Sequence, residues 1–253
     1  MMMLRFRIVP FPLLSCLGAL FLGGGSAAGE KFFLPAVPVV ELFTSQGCSA
    51  CPPADALLGE LAERSDIMAL TWAVDYWDYL GWEDTLARPE HTDRQQAYNE
   101  AMGRSGVYTP QMIIDGRYQM VGSRREEVES HLSHALNGEA RPKLQVEYPD
   151  DGPPLVSLAG ASTDTIPATA IFYLVVADLA VTLDIEGGEN QGRTATYHHV
   201  VRHVEALPAV EGSPQTAQVP PQEFDPERQF CAALLQDGAG GPILAAAVLP
   251  KGC

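Results

Sequence analysis

Cys48-Ser49-Ala50-Cys51, followed at once by Pro52-Pro53, places two thiols two residues apart at the start of an expected helix. Such a pair forms either a reversible disulfide clip or half of a metal site. A free thiol titrates near 8.5 and is mostly protonated at neutral pH. A helix N-terminus sets partial positive charge and unpaired N–H groups against the sulfur, and Cys-x-x-Cys thiols there reach roughly 3.5–7.5. Cys48, the better placed and by expectation the more exposed of the two, is the candidate nucleophile, and Cys51 the candidate resolving thiol. Asp75, at the end of the second strand, is a candidate acceptor for the proton of Cys51. The alternative is a hydrogen-bonded loop aspartate. Two other uses of the pair compete with exchange: an inert disulfide, and copper(I) or zinc held with a third ligand. No second Cys-x-x-Cys occurs and no histidine lies close in sequence, so neither metal nor other cofactor is expected.

The segments around the thiols read as alternating strand and helix. Residues 39–43 form an apolar strand leading into the motif. Beyond it Ala54, Leu57, Leu58, Leu61 and Ala62 recur at helical spacing. The prolines suit the first helical turn, where a missing N–H costs little. Residues 67–74 form a second strand, apolar enough to be covered on both faces. All three tryptophans then fall within eleven residues, Trp72, Trp77 and Trp82. The block 76–82 suits either packing in the core or an apolar platform for a peptide. Residues 88–102 read as a polar helix, and 111–114 and 118–121 as a hairpin turning at Asp115-Gly116. Ser123-x-x-Glu126 has the form of a capping box for a helix ending at Gly138. From 141 onward short β-like runs alternate with turn clusters, which suggests an antiparallel sandwich. Gly187 to Gly192 reads as a hairpin tip, and residues 29–38 as an exposed lead-in.

The bulk composition narrows the partners. The 253 residues carry 32 acidic against 16 basic side chains, a net charge of −16. Nucleic-acid binding needs a basic patch, so it is not expected, and neither is attachment to an anionic membrane surface. Residues 1–28 have the form of a signal peptide: Arg5 and Arg7, an apolar run from 8 to 22, then small residues up to Ala28. The run is short for a membrane span, so none is expected in the mature chain. Leu13-Leu14-Ser15-Cys16 faintly resembles a lipidation box, but apolar residues continue past Cys16. The chain is therefore expected in the periplasm or secreted, an oxidising setting. Of the remaining cysteines, Cys231 is expected as a buried thiol opposite Ala247, and Cys253 as a free terminal thiol.

Two hallmarks in residues 36–140 resemble the thioredoxin-like superfamily: the dithiol at a helix start, and Thr109-Pro110 just before a strand and hairpin. In that superfamily the proline is cis and faces the disulfide. The closer resemblance is to the DUF1223 family, exported thioredoxin-like proteins of bacteria. It rests on residues 43–55, 74–82 and 106–111, on Gly188-Glu189-Asn190 with Arg193, and on Val200-Val201-Arg202. In that family a histidine often precedes the Val-Asp-Tyr-Trp run, whereas Ala73 stands there in this chain. The resemblance implies an α/β thioredoxin-like domain over 36–140, followed by a smaller, mainly antiparallel β domain over 141–253. It also implies a site of Cys48, Cys51, Thr109 and Pro110, to which the residue reading adds Asp75. The expected function is thiol–disulfide exchange with protein thiols or disulfides and a redox partner protein. The alternative is a non-catalytic binding module or metallochaperone.

Overall fold

The computed structural model describes residues 29–138, 140–159, 166–211 and 213–253, so the expected signal peptide, with Arg5, Arg7 and Cys16, lies outside the described residues. The first element is a strand, β1 (Glu30–Leu34), where an exposed lead-in was expected. There follow β2 (Val39–Thr44), helix α1 (Pro52–Ala62), β3 (Met68–Ala73), α2 (Pro89–Ala101), β4 (Gln111–Ile114), β5 (Tyr118–Val121) and α3 (Arg125–Asn137). Strands β6 (Lys143–Tyr148), β7 (Leu155–Ala159), β8 (Ala170–Asp184), β9 (Thr194–Ala206), β10 (Ala209–Val210), β11 (Ser213–Gln218), β12 (Gln229–Asp237) and β13 (Ile243–Val248) complete the chain. The strands make an eight-stranded sheet in the order β13-β12-β8-β9-β3-β2-β4-β5 and a five-stranded sheet in the order β1-β6-β7-β11-β10.

The expected boundary at 140 does not coincide with a boundary between sheets. Strands β8, β9, β12 and β13 continue the sheet that β2 to β5 begin. The reason is legible in β8. Phe172, Leu174 and Val176 point to one apolar core, while Val175 and Ala177 point to the other. A strand apolar on both faces has to be covered on both. On one face its residues join Val39, Phe43, Trp72 and Tyr98 in a core beneath α2. On the other they meet Leu144, Val146 and Val156 of the small sheet. Alongside the small sheet, on that same face, α1 and α3 cover Val40, Leu42, Met112 and Ile114. The sheet is therefore layered by α2 on one side and by two helices plus a second sheet on the other.

Local features follow the sequence with exceptions. Asp115 and Gly116 turn the β4–β5 hairpin with φ of 53° and 63°. A side chain at Gly116 would collide with the Gly241 carbonyl oxygen. The Ser123 capping box does not form: Arg124 is the N-cap, and no side chain caps the helix. Strand β8 runs unbroken from Ala170 to Asp184, with a bulge opposite β9 between Val176 and Ala177.

The expectation for Cys231 and Cys253 is corrected. They form a disulfide with Cα atoms 5.8 Å apart. In register Ala233 faces Ala247, and the Leu249 N–H donates to the Cys231 carbonyl. The tail then turns back at Gly252, where φ is 75° and the N–H donates to the Leu249 carbonyl. That reversal brings Cys253 over Cys231, which a straight continuation of β13 would not.

Candidate functional site

Strand β2, buried along its whole length, carries the chain to Ser45-Gln46-Gly47 and the dithiol. Cys51 is the N-cap of α1, and Pro52 and Pro53 take the first helical positions. The Cys51 carbonyl accepts from the Ala54 and Asp55 N–H groups at 2.8 and 3.1 Å. The helix is held on the sheet by Ala54, Leu57, Leu58 and Leu61. Its positive end is thus fixed at the sulfurs. Contrary to expectation, Cys48 is as deeply set as Cys51, 1% and 0% exposed, although Ser49 and Ala50 between them face solvent.

The two thiols differ in acidity. Cys48 is lowered to about 6, first by its hydrogen bond with the Cys51 thiol. The Thr109 side chain and the Ala50 and Cys51 N–H groups add to this, against the opposing effect of burial. Cys51 moves far upward, chiefly through burial, then through Cys48 and the charge of Asp55. Cys48 is therefore the more acidic of the two thiols and Cys51 the one that keeps its proton longer.

Of the expected site residues, Thr109 and Pro110 meet the thiols. Their peptide bond is cis, and the Cys48 Sγ lies 3.8 Å from the Thr109 carbonyl oxygen. Trp77 Nε1 donates to Thr109 Oγ1 at 2.8 Å, and the Gly122 N–H donates to the Pro110 carbonyl. Asp75 does not join them through a hydrogen bond. Its carboxylate accepts from the Thr92 hydroxyl at 2.6 Å.

The carboxyl beside the dithiol is Asp55, one helical turn beyond Cys51. It accepts from Thr44 Oγ1 at 2.6 Å, and Thr44 also interacts with the Cys51 sulfur. Burial pushes Asp55 up to about 8, opposed by the Thr44 hydrogen bond and assisted by the charges of Cys48 and Asp84. Its acid–base range therefore brackets neutrality. The i, i+4 spacing from Cys51 was the signal for it in the sequence, because residues four apart share a helix face.

A second neighbour, absent from the sequence reading of the site, comes from beyond residue 140. The β8–β9 hairpin tip, which includes the short 3-10 turn Gly188–Asn190, lies on the dithiol loop. Asn190 Nδ2 donates to the Gln46 and Cys48 carbonyls at 3.0 and 2.7 Å. The Glu189 carboxylate accepts from the Ser49 N–H and hydroxyl at 3.0 and 2.7 Å. Those bonds hold Glu189 below the usual carboxylate range. Gly188 passes so close to Gly47 that a Cβ would lie 3.0 Å from its Cα. Behind the loop, buried Asp84 accepts from the Gln46 backbone N–H and from Gln46 Nε2, both at 2.7 Å. The main chain around Cys48 is thus fixed from two sides.

Among the described residues no group of three or more His, Cys, Asp or Glu is placed to hold a metal ion. No described helix is long and apolar enough to cross a membrane. A cavity of about 560 Å³, lined by residues including Asp115, Tyr118, His134 and Arg141, contains neither thiol, and its Arg141 is paired with Asp115.

The family model described as "Protein of unknown function (DUF1223)" matches residues 39–236. No curated protein matches the chain. Among solved structures, the crystal structure of protein AGR_C_4864 from Agrobacterium tumefaciens is 31% identical, with a TM-score of 0.64, covering 85% of this chain and 94% of that one. HBP35 of Porphyromonas gingivalis is similar in fold, with 11% identity and a TM-score of 0.56, covering 85% of this chain and 75% of that one.

Proposed function

The chain belongs to the DUF1223 family, and from the site at the start of α1 we propose that it is an exported, bacterial, thioredoxin-like thiol–disulfide oxidoreductase acting on protein substrates. One observation carries the reading: two unjoined thiols at the start of α1, with Cys48 Sγ 3.8 Å from the Thr109 carbonyl oxygen and buried Asp55 one turn beyond Cys51, an arrangement that lowers Cys48 and raises Cys51. An inert cystine has no use for such a separation. The run β2–α1–β3–α2–β4–β5–α3, with Pro110 set against the thiols, is read as the thioredoxin-like part. The Cys231–Cys253 disulfide supports an oxidising compartment.

The Cys48 thiolate attacks one sulfur of a substrate disulfide, forming a Cys48–substrate bond and expelling the other substrate sulfur as a thiolate that takes a proton from water. With Cys48 in the mixed disulfide its charge no longer raises Asp55; Cys51 gives its proton to the carboxylate form of Asp55, through or beside the Thr44 hydroxyl, and attacks the Cys48 sulfur. The second substrate thiolate leaves and is protonated. The substrate has gained two electrons and the protein holds a Cys48–Cys51 disulfide. The same steps in reverse oxidise a substrate dithiol. Thr109 holds the Cys48 sulfur in line, and Asn190 fixes the carbonyl of Cys48 so that its sulfur keeps one direction.

The test is equilibration of the protein in graded mixtures of reduced and oxidised glutathione, with the Cys48–Cys51 state read by peptide mapping. A reversible two-electron transition is expected, and Cys51→Ser should accumulate a mixed disulfide on Cys48. A pair that stays in one state across all mixtures and traps nothing contradicts the proposal.

A further inference from the structure

Beside the recessed Cys48 sulfur lies an aromatic and acidic surface that the exchange steps leave unused. Trp77 stacks on Tyr79, with ring centroids 6.4 Å apart and planes 21° from parallel. Trp77 is anchored at the site: its indole N–H bonds Thr109, and a Cβ at Gly47 would lie 3.1 Å from the Trp77 Cβ. Tyr79 is 78% exposed and Leu80 38%. Their short turn packs against the Gly188–Asn190 turn that holds the dithiol loop. Tyr79 and Leu80 thus leave apolar area open to solvent beside Trp77, which is bonded to Thr109 at the dithiol.

Carboxylates cluster around this surface. Asp75 and Glu83 both act on the Asp78 carboxyl, which places the three together. Glu189 stands on the opposite rim, against Ser49. No lysine or arginine occurs between Arg64 and Arg88, nor between residues 179 and 192. Of the arginines near the region, Arg193 bonds the Asn190 side-chain oxygen and the Arg104 guanidinium lies 5.8 Å from the centroid of the Tyr108 ring, while Arg88 is exposed with its main-chain N–H on the Ala73 carbonyl.

Resting on the exchange reading above, we infer that Trp77, Tyr79 and Leu80, rimmed by Asp75, Asp78, Glu83 and Glu189, form the docking surface for an extended, cationic polypeptide segment carrying the reacting cysteine beside aromatic or apolar residues. Each part of that description has a cause on the molecule. The segment is extended because Cys48 is 1% exposed, and the flat face of a folded protein cannot bring a disulfide to a sulfur set that deep. It is apolar near its cysteine because the stacked pair and Leu80 offer contact area there. It is cationic because the rim is anionic, and complementary charge raises both encounter rate and selectivity. A second copy of this chain fits poorly, since it carries a net charge of −16 and the same acidic rim.

The test uses the reduced full chain and symmetrical disulfides of short peptides, each with one cysteine. One peptide carries lysines and a phenylalanine, a second replaces the lysines by glutamates, and a third replaces the phenylalanine by serine. Oxidised dithiothreitol serves as a neutral small disulfide, and released peptide thiol is read by chromatography. At low salt the lysine–phenylalanine peptide should react about tenfold faster than the glutamate peptide, and the gap should close as salt rises. Glu83→Gln should narrow that gap. Tyr79→Ala should lower the rate with the phenylalanine peptide about three- to tenfold more than the rate with oxidised dithiothreitol. Equal rates for the three peptides, with oxidised dithiothreitol still reduced, would overturn the docking assignment and leave the exchange reading intact. Failure to react with any disulfide would overturn both. Self-association lost in Tyr79→Ala, without peptide preference, would assign the surface to a second copy and overturn the inference as well.

Discussion

The described residues contain two pairs of cysteines, and the fold treats them in opposite ways. Cys231 and Cys253 are 22 residues apart and joined, closing the C-terminal tail onto strand β12. Cys48 and Cys51 are three apart and unjoined, set at the start of α1. The first pair lies in an apolar core with Leu144, Leu174 and Ala245 nearby. The second lies among polar groups: Thr44, Asp55, Thr109 and the N–H groups of the helix start. The same side chain therefore forms a staple in apolar surroundings, and under the proposed function acts as a reagent where groups able to move protons surround it. Burial alone does not separate the two, since Cys48, Cys51 and Cys231 are all about 0–1% exposed.

The largest expected effect separates the pairs outright. Cys48→Ser should lower the rate of disulfide exchange by about 1,000-fold or more, because a hydroxyl in that place is neither ionised nor nucleophilic towards sulfur. Replacing both Cys231 and Cys253 by Ser should leave exchange within about twofold, yet cost about 3 kcal/mol of stability in urea denaturation. If the staple pair mattered as much to exchange as Cys48, the division of labour would fail.

Asp55 sharpens the comparison next. Asp55→Asn should slow release of the mixed disulfide by about 100-fold, as expected for loss of a positioned proton acceptor. It should also alter the pH dependence of stability. The folded carboxyl titrates at about 8, above its ordinary value of 3.8, so the folded state holds this proton more tightly than the unfolded chain. That contribution is complete below about pH 4 and is lost as pH rises towards 8. With both proteins oxidised at Cys48–Cys51, so that neither thiol titrates, the native chain should lose stability between pH 5 and 8 relative to Asp55→Asn. Parallel stability profiles would remove Asp55 from the site.

A smaller effect is expected at the clamp. Asn190→Ala removes two buried hydrogen bonds to the dithiol loop, and should cost about 1–3 kcal/mol. At pH 8, where Cys48 is already thiolate, its alkylation should speed up a few-fold as the loop loosens. An unchanged rate would mean that the hairpin tip supports the fold without governing the sulfur.

Much of the first half was readable from the sequence, because each element there carries its own local signal. Period-3.6 apolar residues marked α1, prolines marked its start, and Asp115-Gly116 marked the β4–β5 turn. The capping box failed because the chain stays non-helical through Arg124, which takes the N-cap in place of Ser123. The second half was harder to place. Its strands were visible, but joining them to β3 depends on non-local pairing with β9, Thr71 beside Val200 and its hydroxyl on the His198 carbonyl, which no local pattern encodes. The tail's return to Cys231 likewise depends on a positive φ at Gly252 rather than on strand register. In the site, the thiols and Thr109-Pro110 stood out by type and spacing. Asp55 was hidden in plain view on the helix. Glu189 and Asn190 reach the dithiol from 140 residues away and are found only once the fold is known.

The division of labour requires Cys48 to be a thiolate at neutral pH while Cys51 is not. The direct measurement is the pH dependence of alkylation of the reduced protein, followed peptide by peptide. A midpoint of about 6 is expected for Cys48, with Cys51 unreactive across the neutral range. Equal reactivity of the two, with midpoints in the ordinary thiol range near 8.5, would contradict it.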